Sequence, residues 1–227
     1  LFGFLFAMPV TLYSKTSSPH CWVVQSVFTA LNYECEIKYL DVTKNEHLTK
    51  EFIRMNPQHT LPLLDDNGFY LSESRAIICY VLDKYYPDSP LYPNDVNQRA
   101  KVTEMLYFDM GLYNKFYNYV ERPLFGNEKF NDRNKEIFFE GLGVLEKYLG
   151  DKPFICGKTF TIADIAFVET LASLQAMGYD LGKRPKLNSW YQRMVAKIPY
   201  IDEVRENCQA YLFENVPILK EKKDIFD

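Results

Sequence analysis

Between residues 9 and 86 the chain alternates short apolar runs with amphipathic stretches. Val10-Thr11-Leu12-Tyr13 reads as a strand, and residues 19–31 as a helix carrying Val23, Val24, Val27, Phe28 and Leu31. Residues 35–40 alternate Cys35, Ile37 and Tyr39 with polar neighbours and predict a second strand. A polar helix is expected over about 46–55. Two short strands, 61–64 and 69–71, flank the turn Asp65-Asp66-Asn67-Gly68, where Asn-Gly tolerates positive φ. A helix over 73–85 completes the unit. After the proline-rich Pro87-Asp88-Ser89-Pro90-Leu91-Tyr92-Pro93 the strands stop. Helical patterns then fill 96–120, 132–149, 162–177, 187–196 and about 203–213. Thr161-Ile162-Ala163-Asp164 has the spacing of a capping box. The expected architecture is α/β plus all-α: a first domain over 8–88, a linker at 89–94 and a helical bundle over 95–227.

Composition narrows the function. A net charge of −4 over 227 residues argues against a nucleic-acid binder, whose phosphate-facing surface is normally basic. Five cysteines, odd in number and scattered, form no Cys-x-x-Cys pair, so neither a disulfide framework nor a zinc site is indicated. No metal is expected, and a reduced, cytoplasmic setting fits. The apolar residues 1–7 lack a charged leader and fall short of a signal core or a membrane span. They are expected to precede a true start at Met8. No membrane association is expected.

Ser17, Ser18, His20 and Cys21 crowd the junction between the first strand and the first helix. The strand–helix–strand–helix–hairpin–helix order matches the thioredoxin-like arrangement. In that fold a Cys-Pro-x-Cys motif places its first cysteine at this helix start, where the terminal N–H groups stabilise a thiolate. Here the text is Ser18-Pro19-His20-Cys21. A hydroxyl cannot form the mixed disulfide of thiol exchange, but it can donate a hydrogen bond to a thiolate brought by another molecule. Ser18 is also the natural N-cap ahead of Pro19, and the two roles are compatible because a cap uses the oxygen as acceptor. Cys21 is expected in the core, and His20, with no acidic partner in sight, as a bystander.

Two further stretches carry recognition chemistry. Pro62 in Asn56-Pro57-Gln58-His59-Thr60-Leu61-Pro62 suits a sheet edge or a cis bend. It leaves the Leu61 backbone to pair with a peptide-like ligand by strand addition. Glu73 and Ser74 open another helix. Ser74 with the helix N–H groups suits a carboxylate and Glu73 an ammonium, which together describe an amino-acid head group; ordinary helix capping by Ser72 and Ser74 is the plainer reading.

The order Ser-Pro-x-Cys, Glu-His-Leu, Asn-Pro-Gln-His-Thr-Leu-Pro, Asp-Asn-Gly, Glu-Ser-Arg-Ala-Ile, Leu-Tyr-Pro, Leu-Tyr-Phe-Asp-Met-Gly and Thr-Ile-Ala-Asp resembles the cytosolic glutathione transferases, above all the insect delta and epsilon classes. The resemblance runs from Met8 to about Phe213. It implies a glutathione-binding thioredoxin-like domain, a helical domain shaping a second-substrate site, and a homodimer. It assigns Ser18 to the glutathione sulfur, His47 and His59 to the glycyl carboxylate, the Leu61 backbone before a cis Pro62 to the cysteinyl unit, and Glu73, Ser74 and Arg75 to the γ-glutamyl end. Asp109 is expected to join the charges beneath that end. Tyr113, Phe116, Tyr117 and Val120, with Tyr211 and Phe213, are the candidates for a hydrophobic substrate site, although an aromatic stripe at helical spacing is more often core. Matching the Ser-Pro pair selects Ser18; matching a proline two places after serine would select Ser17. Tyr13 is a rival because other classes use a tyrosine near the end of this strand. The family often has proline and arginine where this chain has His20 and Trp22. The activity implied is conjugation of glutathione to hydrophobic electrophiles without a cofactor. The alternatives are a non-catalytic carrier of hydrophobic ligands and a glutathione-dependent peroxidase, isomerase or dehydrohalogenase.

Overall fold

A computed structural model describes residues 10–126 and 128–198 together with Glu206, Ala210, Ile225 and Phe226. The expected leader, most of the helix expected over 203–213, and the side chains of Tyr211 and Phe213 lie outside the described residues. The chain divides into two compact units, residues 1–85 and 86–227.

Among its described residues the N-terminal unit is a four-stranded sheet with three α-helices. Strands β1 (Thr11–Ser14), β2 (Glu36–Tyr39), β3 (Leu63–Asp66) and β4 (Phe69–Ser72) lie in the order β2-β1-β3-β4. β1 runs parallel to β2, while β3 is antiparallel to both β1 and β4. Helices α1 (Pro19–Leu31) and α3 (Ser74–Tyr85) pack against each other, and α2 (Lys50–Met55) is a short helix between β2 and β3. Pro19 at the first helical position and Asn32 in the left-handed region at φ 50° set the ends of α1. The β3–β4 turn has φ values of 55° at Asn67 and 88° at Gly68, the conformation Asn-Gly was expected to supply.

Two expectations change. The alternation over 35–40 predicted one covered face, yet all four residues of β2, an edge strand, are exposed. The polar helix over 46–55 is two elements. A 3-10 turn, Glu46–Leu48, stops at Thr49, whose extended backbone and Oγ1, accepting from Phe52 N–H at 3.2 Å, start α2 afresh.

The C-terminal unit contains, among its described residues, α4 (Val96–Phe116), a π-turn Tyr117–Glu121, α5 (Arg122–Gly126), α6 (Asp132–Leu149), α7 (Ile162–Ala176) and α8 (Pro185–Val195). α4 packs against α6 and α7, and α7 against α8. The approach of α4 to α6 is close at Gly141, where an added Cβ would lie 2.8 Å from Leu112 Cδ1. The capping box is formed: Asp164 accepts from the Thr161 N–H at 3.0 Å, and also from Ile155 N–H at 2.8 Å, tying the preceding loop to α7. Asp109 accepts from the Thr170 hydroxyl at 2.7 Å and so links α4 to α7. Much of the aromatic excess enters one cluster. Tyr119 packs against Phe130, Phe138, Phe139 and Phe226, and its hydroxyl donates to the Ile225 carbonyl.

Asp66 ties the β3–β4 hairpin to α3. Its Oδ2 accepts from Lys84 Nζ at 2.6 Å and from the Tyr80 and Tyr85 hydroxyls, each at 2.7 Å; Oδ1 accepts from Asn67 Nδ2 at 3.0 Å. Burial pushes this carboxyl up, but the bonds from Lys84, Tyr85, Tyr80 and Asn67 outweigh it and hold it well below the usual carboxylate range. The folded state therefore binds this proton less readily than the unfolded one. The stabilisation is complete above about pH 4 and is lost as the pH falls below that value. Asp66→Asn is expected to cost about 1–3 kcal/mol in urea unfolding near neutral pH. The difference from wild type should narrow at about pH 3.

Candidate active site

The sheet register brings the expected site segments to one end of the N-terminal unit. Ser14, the last residue of β1, pairs with Tyr39, the last of β2. Tyr13 pairs with Leu63, the first residue of β3, and Leu63 pairs with Ser72, the last of β4. The segments that leave the sheet at Ser14, Tyr39 and Ser72, and the one that enters it at Leu63, therefore share one end. These are the Ser18 loop, the turn bearing His47, the start of α3 with Glu73, and the His59–Pro62 loop.

Each segment has its own local cause. Ser18 sits at the N-cap position of α1 with an extended backbone, but its hydroxyl caps nothing, contrary to expectation. The Cys21 N–H, which a capping hydroxyl would bond, goes to the Ser18 carbonyl at 2.9 Å. The Cys21 sulfur accepts from the Lys15 N–H at 3.4 Å. Burial pushes the Cys21 thiol up, and the Ser18 and Ser14 hydroxyls oppose that push. With no exposed surface, Cys21 is a core residue, as expected. Trp22 is buried, and its Nε1–H donates to the Thr16 carbonyl at 2.7 Å, which braces the loop from behind. Tyr13 packs edge-on against Phe52 under the Lys38 ammonium.

Asn56 shapes the second loop. Its amide donates to the Thr60 carbonyl at 2.9 Å, its Oδ1 accepts from Gln58 N–H at 3.1 Å, and its carbonyl accepts from His59 N–H at 2.8 Å. These bonds hold His59 at φ 45°, and the His47 and His59 rings lie 6.1 Å apart. His47 Nδ1 is buried with no hydrogen-bond partner among the described residues, the kind of group a polar ligand would satisfy. The Leu61–Pro62 peptide bond is cis, and the ladder begins only at Leu63, so Leu61 stands outside it.

The α3 segment differs from expectation at its first residue. The helix starts at Ser74, and Glu73 precedes it in the left-handed region at φ 69°, an uncommon conformation for a residue with a Cβ. Glu73 is exposed, whereas Ser74 and Arg75 are buried. Arg75 donates from one guanidinium nitrogen to Ser74 Oγ at 2.9 Å and to His20 Nδ1 at 3.2 Å. His20 is thus no bystander. Burial and the adjacent Arg75 charge push its protonation down to about 3, which leaves the ring neutral and Nδ1 an acceptor. The expectation failed because the partner is a cation 55 residues away rather than an acid nearby.

In the C-terminal unit the hydrophobic candidates divide. Phe116 and Val120 have no exposed surface, and Phe116 packs against Tyr113 and Phe138. Tyr117 is exposed. The Tyr113 hydroxyl donates to both oxygens of buried Glu121, at 2.9 and 3.0 Å. Glu121 is not legible as a site residue from the sequence, because the helix expected over 96–120 becomes a π-turn at Tyr117–Glu121 and changes which residues share a face.

Residues 8–83 match the family model described as glutathione S-transferase, N-terminal domain, and residues 128–193 that described as glutathione S-transferase, C-terminal domain. The chain is 36% identical over 220 residues to glutathione S-transferase D7 of Drosophila melanogaster, covering 93% of this chain and 96% of the relative. A delta-class glutathione transferase of Nilaparvata lugens superposes with a TM-score of 0.87 at 37% identity, covering 93% of this chain and 100% of that one. An epsilon-class glutathione S-transferase of the housefly, Musca domestica, gives 0.81 at 31% identity, with coverages of 93% and 97%. On these matches, which span both units and nearly the whole length of its relatives, the chain belongs to the glutathione S-transferase family.

Proposed function

We propose that the chain conjugates the thiol of glutathione to hydrophobic electrophiles, with Ser18 stabilising the thiolate. The observation that carries this reading is the register that brings the Ser18 loop, the His47 turn, the Leu61–Pro62 loop and the Glu73–Arg75 helix start to one end of the sheet. The tripeptide has a thiol, two carboxylates, an ammonium and peptide groups to satisfy. In this reading the glycyl carboxylate meets His47 and His59, the cysteinyl peptide groups meet the Leu61 backbone, and the γ-glutamyl head meets Glu73, Ser74 and Arg75. The resemblance alone assigns Asp109 to that head and Tyr113, Phe116, Tyr117 and Val120 to an electrophile site. Tyr211 and Phe213 keep their place in this proposal from the resemblance alone. A cytoplasmic homodimer is part of the same reading.

The thermodynamics are adequate. An unperturbed thiol has a pKa of about 8.5 and is only a few per cent ionised near neutrality. Lowering it by about 2 units takes roughly 2.7 kcal/mol of preference for the thiolate. A hydroxyl bonded to a charged acceptor supplies about 1.5–3 kcal/mol, and the start of the 13-residue α1 adds about 0.3–1. The Ser18 hydroxyl makes no capping bond to α1, and a charged sulfur is a stronger acceptor for it than a neutral one. The thiolate sulfur then forms a bond to the electrophilic carbon, and the leaving group departs with the electron pair.

Ser18→Ala is expected to lower kcat/KM with a chloronitroaromatic roughly ten- to hundred-fold, and Ser17→Ala to leave it within about twofold. The reverse pattern would move the role to Ser17, and glutathione binding without turnover in the wild type would favour a carrier. At Glu73, glycine relieves about 1–2 kcal/mol of left-handed strain and gives back about 0.5–1 through the freer unfolded chain. Thermal unfolding of Glu73→Gly should therefore show a gain of up to about 1 kcal/mol, while the KM for glutathione rises.

A further inference from the structure

The geometry points to His20 as a positioning residue for glutathione: by accepting a hydrogen bond from Arg75 it fixes the guanidinium that is to hold the γ-glutamyl end, an inference that rests on the glutathione reading above. α1 and α3 are packed together in the N-terminal unit, and His20 on the first turn of α1 faces Arg75 on the first turn of α3. The Arg75 nitrogen that reaches Ser74 Oγ at 2.9 Å also reaches His20 Nδ1 at 3.2 Å. A guanidinium has donors and no acceptor, so Nδ1 is unprotonated in this contact and the ring proton sits on Nε2. The five donors of arginine form a rigid planar fork. Two acceptors on one nitrogen, one from each helix, therefore set the plane of the whole group and the direction of its other N–H bonds. An arginine side chain carries about 2 kcal/mol of rotamer entropy that is lost as it is ordered. His20 removes part of that loss beforehand, which is preorganisation.

His20 is also only two residues from Ser18. One helix start thus carries the hydroxyl assigned to the sulfur and the acceptor that holds the arginine for the opposite end of the tripeptide. The two functions are separable. Ser18 acts on the ionisation of the bound thiol, whereas His20 acts on how well the head group is held. Because burial and Arg75 hold the ring neutral down to about pH 3, the acceptor persists throughout the range in which a thiolate enzyme works.

Steady-state kinetics with glutathione and a chloronitroaromatic test this. His20→Leu, which keeps bulk and removes the acceptor, is expected to raise the KM for glutathione about three- to tenfold, the effect of losing one bond to a charged donor. kcat at saturating glutathione and the pKa of the bound thiol should stay unchanged. His20→Asn, whose Oδ1 falls near the position of Nδ1, should bring KM back to within about twofold of wild type. Should His20→Leu not fold, His20→Gln, whose oxygen lies one carbon too far, takes its place and must show the same rise. In a double-mutant cycle the effect of Arg75→Ala should be smaller in the His20→Leu background than in the wild type. An unchanged KM in His20→Leu, or His20→Asn failing as His20→Leu does, overturns the positioning role. No effect of Arg75→Ala in the wild type overturns the glutathione assignment itself.

Discussion

The pairing of β1 with both β2 and β3, and of β3 with β4, is the constraint on which the site depends. Side chains along a strand alternate faces, so the buried neighbours Leu63 and Leu64 pack on opposite sides of the sheet, and a slip of one residue would exchange them and undo the packing on both sides. The packing on the two faces therefore fixes the register. The register in turn makes Ser14, Tyr39, Leu63 and Ser72 a row across one end of the sheet. Site segments separated by up to about sixty residues in sequence leave the sheet together for that reason.

Within this frame two buried centres hold the ends of the elements in place. Asp66 gathers Tyr80, Lys84 and Tyr85 and so anchors the C-terminal end of α3 to the β3–β4 hairpin. At the other end of α3, Arg75 bonds His20 and joins its first turn to the first turn of α1. Asn56 orders the loop between them in sequence through its side chain and its carbonyl. Rigid supports behind loops that bind a ligand lower the ordering cost of binding. The left-handed conformation of Glu73 and of His59 fits that pattern, since such backbone persists only where its surroundings determine it.

Punctuation was the most legible part of the sequence. Pro19 set the start of α1, Asn-Gly the β3–β4 turn, and Thr161 with Asp164 the start of α7, each by chemistry contained within a few residues. Interactions between distant residues were not legible. Nothing in Pro19-His20-Cys21 announces that the imidazole will meet a guanidinium 55 residues on. The Ser18 hydroxyl was expected to cap α1, but the carbonyl of the same residue takes the N–H that the cap would need. Glu121 was hidden because a π-turn breaks the period on which helical faces are counted. The edge position of β2 was hidden because alternation reports a strand but not its place in the sheet.

The central claim is that helix α1 and Ser18 make the bound glutathione sulfur a thiolate near neutral pH. Titrating the ultraviolet thiolate absorbance of glutathione bound to the wild-type protein tests it directly. A midpoint about 2 units below the free thiol value of about 8.5 is the predicted result. A bound thiol that titrates at the free value would contradict it.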